Sequence, residues 1–397
     1  MSDQVISVEP VQTPKKITGA RILLVVVALL LVAVIVLLTV FPDALNLDKV
    51  GRYFNYMGLE NKAGFGSISF DPNTTNDYAA FSGGLCVGSE SGLTLFDIFG
   101  EQEAVVQGSL PSPLVQRSDK LCVCYSPGSS YLTALSASGD TLLDQTVSGL
   151  LLDLDLSDDG YLCYTTSESG VKSMATVLNQ NLDPYFKLSS RTRYLNVCAV
   201  SPGGTYLAVA GLGEENSTYR SVLTILRTDE ALPDLDGVDS SAVRVDLGNQ
   251  IIYDLKFMSQ TQICAIGQNS VLLMDVDGNL IKEYDLAQKK LKDYAFSDKG
   301  FLALALSQNQ AGDKHELLVL DADGIELADE VLQSRVRSIS ADGKYIGVLT
   351  DRAVQIYNRK LELYAQTPEL ETATKILVRS DGSALLVSSS EAKLYIP

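Results

Sequence analysis

A turn rich in Gly, Asp and Ser that leads straight into a short apolar strand recurs along this chain: SDDGYLCY (157–164), SPGGTYLAV (201–209), SDKGFLALAL (297–306), SADGKYIGV (340–348) and SDGSALLV (380–387). The turn glycines Gly160, Gly204, Gly300, Gly343 and Gly382 lie 44, 96, 43 and 39 residues apart, and the 96 is two steps of 48 spanning a degraded copy at 258–261. A second signal is a strand that ends in Asp-x-x-Gly: LFDIFG (95–100), LMDVDG (273–278) and VLDADG (319–324). It reads as the hairpin turn between the third and fourth strands of a four-stranded unit. One such sheet cannot bury both of its faces, so copies must stack face to face around an axis. A period in the forties is that of a propeller. A parallel β-helix needs shorter repeats, and an α/β fold needs amphipathic helices, of which none is legible after Leu59.

The expected fold is therefore all-β, an eight-bladed β-propeller, with seven blades as the alternative. The eight units fall at 78–107, 112–147, 150–190, 192–247, 250–287, 290–334, 336–368 and 373–397. The last supplies only three strands, and GSISF (66–70), otherwise unassigned, completes it and removes the ring's free edge. Within 150–156, Leu152, Leu154 and Leu156 alternate with Asp153 and Asp155, as a half-buried strand requires.

Ahead of the repeats lies ILLVVVALLLVAVIVLLTVF (22–41), apolar except for Thr39. Twenty such residues span about 30 Å as a helix, the thickness of a bilayer's hydrocarbon core. The run is too long for a cleaved signal peptide and is followed by Phe41-Pro42-Asp43, so an uncleaved signal anchor is expected. Lys15, Lys16 and Arg21 precede it, which orients the N-terminus to the cytoplasm and the repeats to the outside of the plasma membrane. The organisation is thus a cytoplasmic tail (1–21), one transmembrane helix (22–41), a juxtamembrane stalk with helical spacing and interfacial Tyr53 and Tyr56 (42–63), and a propeller ectodomain (64–397).

These repeats resemble the WD40-like and quinoprotein-like propeller superfamily across 64–397. The layout is also similar to a single-pass, membrane-anchored propeller family of Gram-positive anaerobes, a domain of unknown function. That likeness rests on FPDALNLDKVGRYFNYMGL (41–59), SISFDPN (67–73) and LTLFDIFG (93–100). The resemblance implies no activity, catalytic residue or cofactor.

The residues themselves narrow the function. A formal charge of −18 disfavours nucleic acid. Quinoprotein dehydrogenases hold their cofactor with tryptophans and an adjacent cysteine pair; this chain has no Trp, and Val123 separates Cys122 from Cys124. His315, the only histidine, reads as an exposed strand-start residue rather than a triad member, and zinc would need His/Cys clusters that are lacking. Asp275-Val276-Asp277-Gly278-Asn279 has the look of a calcium loop without its distal Glu, and a hairpin turn accounts for it. The acid runs Asp153/Asp155/Asp158/Asp159 and Asp234/Asp236/Asp239 read as solvated turns, though a glycosidase-like pair is conceivable there. Six cysteines show no framework spacing, and Cys86, Cys122, Cys124, Cys163 and Cys264 sit in strand-like runs, so free, buried thiols are expected, at odds with an oxidising exterior.

What remains is surface. Loops between second and third strands share one propeller face, and the long ones are 213–220 (GEENSTYR) and 308–314 (QNQAGDK). Glu214, Glu215, Tyr219, Arg220, Asp313 and Lys314 are the candidate partner-binding residues, with Tyr219 and Arg220 the types favoured as anchors. The insertion at 228–241 belongs on the opposite face as an acidic loop. The expected function is a non-catalytic interaction or scaffold module at the cell envelope, with an envelope protein as partner. A ligand or glycan sensor is the alternative, and a carboxylate-based glycan enzyme the next.

Overall fold

The computed structural model describes residues 66–215, 217–229, 242–286, 289–307, 314–368 and 372–397, together with Leu24, Val26–Leu29, Val32, Gly51, Arg52, Phe54, Tyr56 and Met57. The chain divides into two units, Met1–Asn55 and Tyr56–Pro397. In the first, Leu24, Val26–Leu29 and Val32 are helical and exposed. Among the described residues no helix is long and apolar enough to cross a membrane, and most of the 22–41 segment lies outside them. Tyr53 also lies outside them. Tyr56, assigned to a membrane interface from sequence, instead donates from its hydroxyl to Asp381 in blade 8 (3.1 Å).

The second unit is eight four-stranded antiparallel sheets, so the ring has eight blades and not seven. Seven blades use consecutive strands, and the eighth is built from both ends of the unit. Its first three strands are Lys375–Val378, Ala384–Val387 and Glu391–Tyr395, and its outer strand is Ser67–Ser69. Ile68 faces Ala392 across that ladder and is almost fully buried. The closure read from GSISF is therefore present.

The first strands of the blades form the inner ring: Asn76–Phe81, Leu114–Arg117, Leu150–Leu156, Tyr194–Val200, Ile252–Phe257, Lys290–Ser297, Val336–Asp342 and Lys375–Val378. Second strands are covered on both faces and read as continuous apolar runs; every residue of Phe301–Ser307 is buried. Outer strands such as Thr141–Thr146 bury only one residue. Between consecutive blades the facing side chains form separate apolar cores, for example Leu121, Val123 and Tyr125 of blade 2 against Leu151, Leu154 and Leu156 of blade 3.

Two local devices set this geometry. In the Asp-x-x-Gly turns one carboxylate oxygen caps two backbone N–H groups: Asp97 accepts from Phe99 and Glu101 (2.8 Å each), and Asp321 from Asp323 and Ile325 (3.0 and 2.8 Å). The following glycines, Gly100 and Gly324, take φ of 80° and 71°, where a side chain is disfavoured. Asp275 caps Asp277 and Asn279 in the same way, so the calcium-like stretch is a hairpin turn. The second device is a β-bulge at an equivalent place in five inner strands, at Leu152, Asn196, Tyr253, Lys292 and Arg337. It corrects the alternation expected for 150–156. The bulge at Leu152 resets the register, so Leu151, Leu154 and Leu156 are buried while Leu152 is only half-buried.

Two further expectations fail. His315 is buried, not exposed, and its Nδ1 accepts a hydrogen bond from Val336 N (2.9 Å). Asp153 and Asp155 are inner-strand residues, not solvated turns. The second acid run, Asp234/Asp236/Asp239, lies outside the described residues. All six cysteines are buried free thiols.

Candidate functional site

The inner edge of each inner strand has no further strand to pair with, so its backbone polar groups need other partners. Side chains of one blade supply many of them to the next, and bonds between side chains complete the circuit. Asp77 accepts from Val115 N (2.9 Å), and Gln116 donates to Leu154 O (2.6 Å) and accepts from Leu156 N (3.1 Å). Asp153 and Asp155 accept from Cys198 N and Val200 N (2.9 and 3.1 Å), and Asn196 donates to Ile252 O (2.9 Å). Asp254 accepts from the Tyr294 hydroxyl (3.0 Å), and Asp293 from Ile339 N (2.7 Å). Ser340 accepts from Val378 N (2.8 Å), and Lys375 returns to Asp77 (2.6 Å).

Two ion pairs join blades that are not adjacent. Lys256 of blade 5 reaches Asp155 of blade 3 (2.7 Å), and Arg117 of blade 2 reaches Asp342 of blade 7 (2.7 Å). They line a cavity of about 540 Å³ that opens on the face of the first-to-second-strand turns, beside Asp158, Asp159 and Asp298. Burial, then the charge of Asp254, pushes Asp153 up to about 7. Burial, then Asp155, lifts Asp254 to about 6. Burial works against the charge of Lys256, but Asp155 and its neighbours outweigh it and raise the lysine's pKa. Both oxygens of Asp153 are engaged, the second by the Tyr125 hydroxyl (3.3 Å), as are both oxygens of Asp155. These carboxylates are committed to holding neighbouring blades together. Among the described residues no group of three or more His, Cys, Asp or Glu is placed to hold a metal ion.

The opposite face carries the second-to-third-strand hairpins and the connections between blades. There the inner strands of blades 2 to 5 begin with exposed apolar residues: Leu114, Leu150, Tyr194, Ile251 and Tyr253. The hairpin of Tyr206–Glu215 and Thr218–Arg227 has ten residues in each arm, the longest strands here, and carries Tyr219 at its tip, 65% exposed. Lys290 and Lys292 are exposed at the start of the next inner strand, in blade 6.

Of the residues singled out from sequence, Glu214, Glu215, Tyr219 and Arg220 gather on this hairpin, Glu214 facing Tyr219 across its ladder. Glu215 pairs with Arg193 and Arg220 with Asp246, which holds the hairpin over a cleft of about 470 Å³ lined also by Thr192, Thr224 and Arg244. Lys314 is exposed on the same face two blades further on, and Asp313 lies outside the described residues. Sequence reasoning missed Leu114, Leu150, Tyr194, Ile251 and Tyr253. The signal was an apolar residue at or beside the first position of successive inner strands, where a core-facing role is not required.

Comparison with known proteins agrees with this architecture. The C-terminal WD40 domain of Sif2 superposes with a TM-score of 0.55 at 12% identity, covering 84% of this chain and 100% of that one. Hsv2 of Kluyvelomyces marxianus is a weaker likeness, with a TM-score of 0.45 at 12% identity over 75% of this chain and 97% of that one. At such identity the first likeness speaks for the fold alone. No curated protein sequence matches. The model of a family of unknown function, DUF5711, matches residues 63–392, which is the whole ring apart from its last five residues, and the chain belongs to that family.

Proposed function

We propose that this propeller is a non-catalytic protein-interaction module, tethered to the plasma membrane by residues 22–41 with its N-terminus cytoplasmic and the ring outside, and that it docks an envelope protein on the hairpin face. The observation that carries this reading is the gathering of Leu114, Leu150, Tyr194, Ile251, Tyr253 and Tyr219 on one face, beside Arg220. Tyrosine supplies large contact area at low entropic cost, and tyrosine and arginine are enriched among the residues that dominate interface energetics. The opposite face offers carboxylate-rich turns, and its axial carboxylates are already engaged between blades, which weighs against the glycan-enzyme reading. The tether rests on the apolar run and its flanking charges.

A photo-crosslinking residue at Tyr253 or Tyr219 of the full-length protein in its own cells should capture one discrete protein, and the same residue at Ile325 on the opposite face should not. Equal capture from both faces, or none from either, overturns the docking surface. The double variant Tyr219→Ala, Tyr253→Ala should lose the adduct captured from Tyr194 while its melting temperature stays within a degree or two. For the topology, a cysteine at Asn216 should react with a membrane-impermeant thiol reagent in intact cells and one at Gln4 should not. The reverse pattern would place the ring inside the cell.

A further inference from the structure

With 49 acids against 31 bases, a cation on this chain usually has a carboxylate at hand. On the hairpin face Arg193 is held by Glu215, Arg220 by Asp246 and Lys289 by Glu316. Blades 6 and 7 break that habit. Lys290, Lys292, Lys314, Arg335 and Arg352 are all exposed there, and none of the five has a carboxylate partner among the described residues. The fold makes them neighbours. Lys290 lies opposite Ser307, and Ser307 lies opposite His315, which follows Lys314. His315 accepts from the N–H of Val336 (2.9 Å), the residue after Arg335. The Arg335 carbonyl accepts in turn from the N–H of Asp351 (3.0 Å), the residue before Arg352. Lys292 occupies the bulge of its inner strand, and Arg337 occupies the equivalent bulge in blade 7, from which it donates to the Ala373 carbonyl before blade 8 (3.1 Å). The acids within this arc are engaged, Asp293 by the Ile339 N–H and Glu316 by Lys289. Asp285 and Asp351 are exposed at its two ends.

We propose that this basic arc seats an acidic segment of the protein that docks on the hairpin face. The inference rests on the docking reading above and adds the charge of the partner. At physiological salt, charges more than about 8–10 Å apart are largely screened. An anionic segment lying on the arc therefore feels these cations, while the acidic remainder of the ring disfavours it elsewhere. Arg335 and Arg352 can each take a carboxylate through two parallel N–H bonds, which fixes register as well as charge. The occupant is a polypeptide because of what adjoins the arc. The inner strand of blade 5 begins beside it with Ile251 and Tyr253, 45% and 54% exposed. A uniformly charged polymer has nothing to cover them, whereas a peptide with both acidic and apolar residues covers the two together. The cations steer the encounter and the apolar pair supplies the area.

The test uses the full-length protein in a nonionic detergent and a fluorescein-labelled oligoglutamate peptide ending in leucine and tyrosine. Binding is read from anisotropy at about 0.1 M salt. Lys290→Gln, Lys314→Gln and Arg335→Gln combined should weaken it at least roughly tenfold. Lys187→Gln, Lys282→Gln and Lys360→Gln combined remove the same charge from exposed sites outside the arc and should weaken it less than about twofold. Lys292→Gln with Arg352→Gln gives an independent reading should the first variant melt early. No binding by the unmodified protein, or equal losses in the arc and control variants, overturns the proposal. So does tighter binding of polyphosphate, or of vesicles of anionic phospholipid, than of the peptide. Photo-crosslinking from Tyr253 in cells reports on docking separately. A discrete adduct without peptide binding overturns the charge assignment alone, and peptide binding without an adduct upholds the arc and overturns the docking reading alone.

Discussion

Asp153 has one carboxylate oxygen on the Tyr125 hydroxyl and one on Cys198 N–H, and the channel walls around it hold its pKa at about 7. A carboxylate raised in the folded state binds its proton more tightly there than in the unfolded chain. Its contribution to stability is thus fully present below its ordinary value near 4 and is lost as pH rises through about 7. Asp153→Asn keeps an acceptor for Cys198 and lets the Tyr125 hydroxyl accept instead. The difference in stability between pH 5.5 and pH 8 should therefore shrink in the variant, by on the order of 1–2 kcal/mol, as read from urea melts at the two pH values. An unchanged difference would mean that Asp153 is ionised throughout. Gly204 offers a steric test. Its φ is +65°, and an added Cβ would fall 2.3 Å from the Tyr161 ring, whereas Gly203, at +75°, has a neighbour only at 3.9 Å. Gly203→Ala should cost about 1 kcal/mol and Gly204→Ala about 3 or more. Equal costs would show that the Tyr161 ring moves freely.

At the level of strands and turns, what was legible depended on how local the cause was. The Asp-x-x-Gly turns and the five glycine turns are decided within four residues, so the repeat could be read directly, whereas eight blades were read with seven left open and the fourth strand of blade 8 was assigned because GSISF had no other place. Asp153 and Asp155 could not be read, because the groups they bind, Cys198 N and Val200 N, lie 45 residues away on another blade. The bulge at Leu152 hid from the same reading: an inserted residue keeps a plausible Leu/Asp alternation while turning its sense over. His315 was misjudged for the same reason, since Val336 N, its partner, belongs to the following blade. The loop-face residues were illegible for the opposite reason. Leu114, Leu150 and Tyr194 are exposed, and exposed apolar residues scattered singly carry no pattern until the ring gathers them. The closing strand gives the prediction at this scale. Deleting 66–70 removes Ile68 from its core and the ladder from Glu391–Tyr395 to Ser67–Ser69, and should lower the melting temperature by roughly ten degrees or more. Deleting 2–20 should leave it unchanged. Equal melting temperatures for the two deletions would refute the clasp.

At the scale of the ring, the inner circuit of side-chain hydrogen bonds has no terminus: it begins at Asp77 and returns to it through Lys375. Losing one member therefore opens a circle rather than shortening a line. The ion pair from Lys256 to Asp155 spans this circle from inside, and Lys256→Met leaves the Asp155 carboxylate buried without its cation; a loss of about 3 kcal/mol in urea unfolding is expected, against none for the exposed Lys292→Met. A loss below about 1 kcal/mol would show that Asp155 is neutralised by its other partners. The clasp also orders events in time. Ser67–Ser69 is made near the start of the chain, and its ladder partner Glu391–Tyr395 more than 300 residues later. At cellular rates of synthesis that is roughly 15 to 60 seconds during which seven blades can stack while the eighth is missing. Until then blade 1 presents an uncovered face and Ser67–Ser69 an unpaired strand, so the nascent chain meets chaperones and neighbouring copies as an open arc.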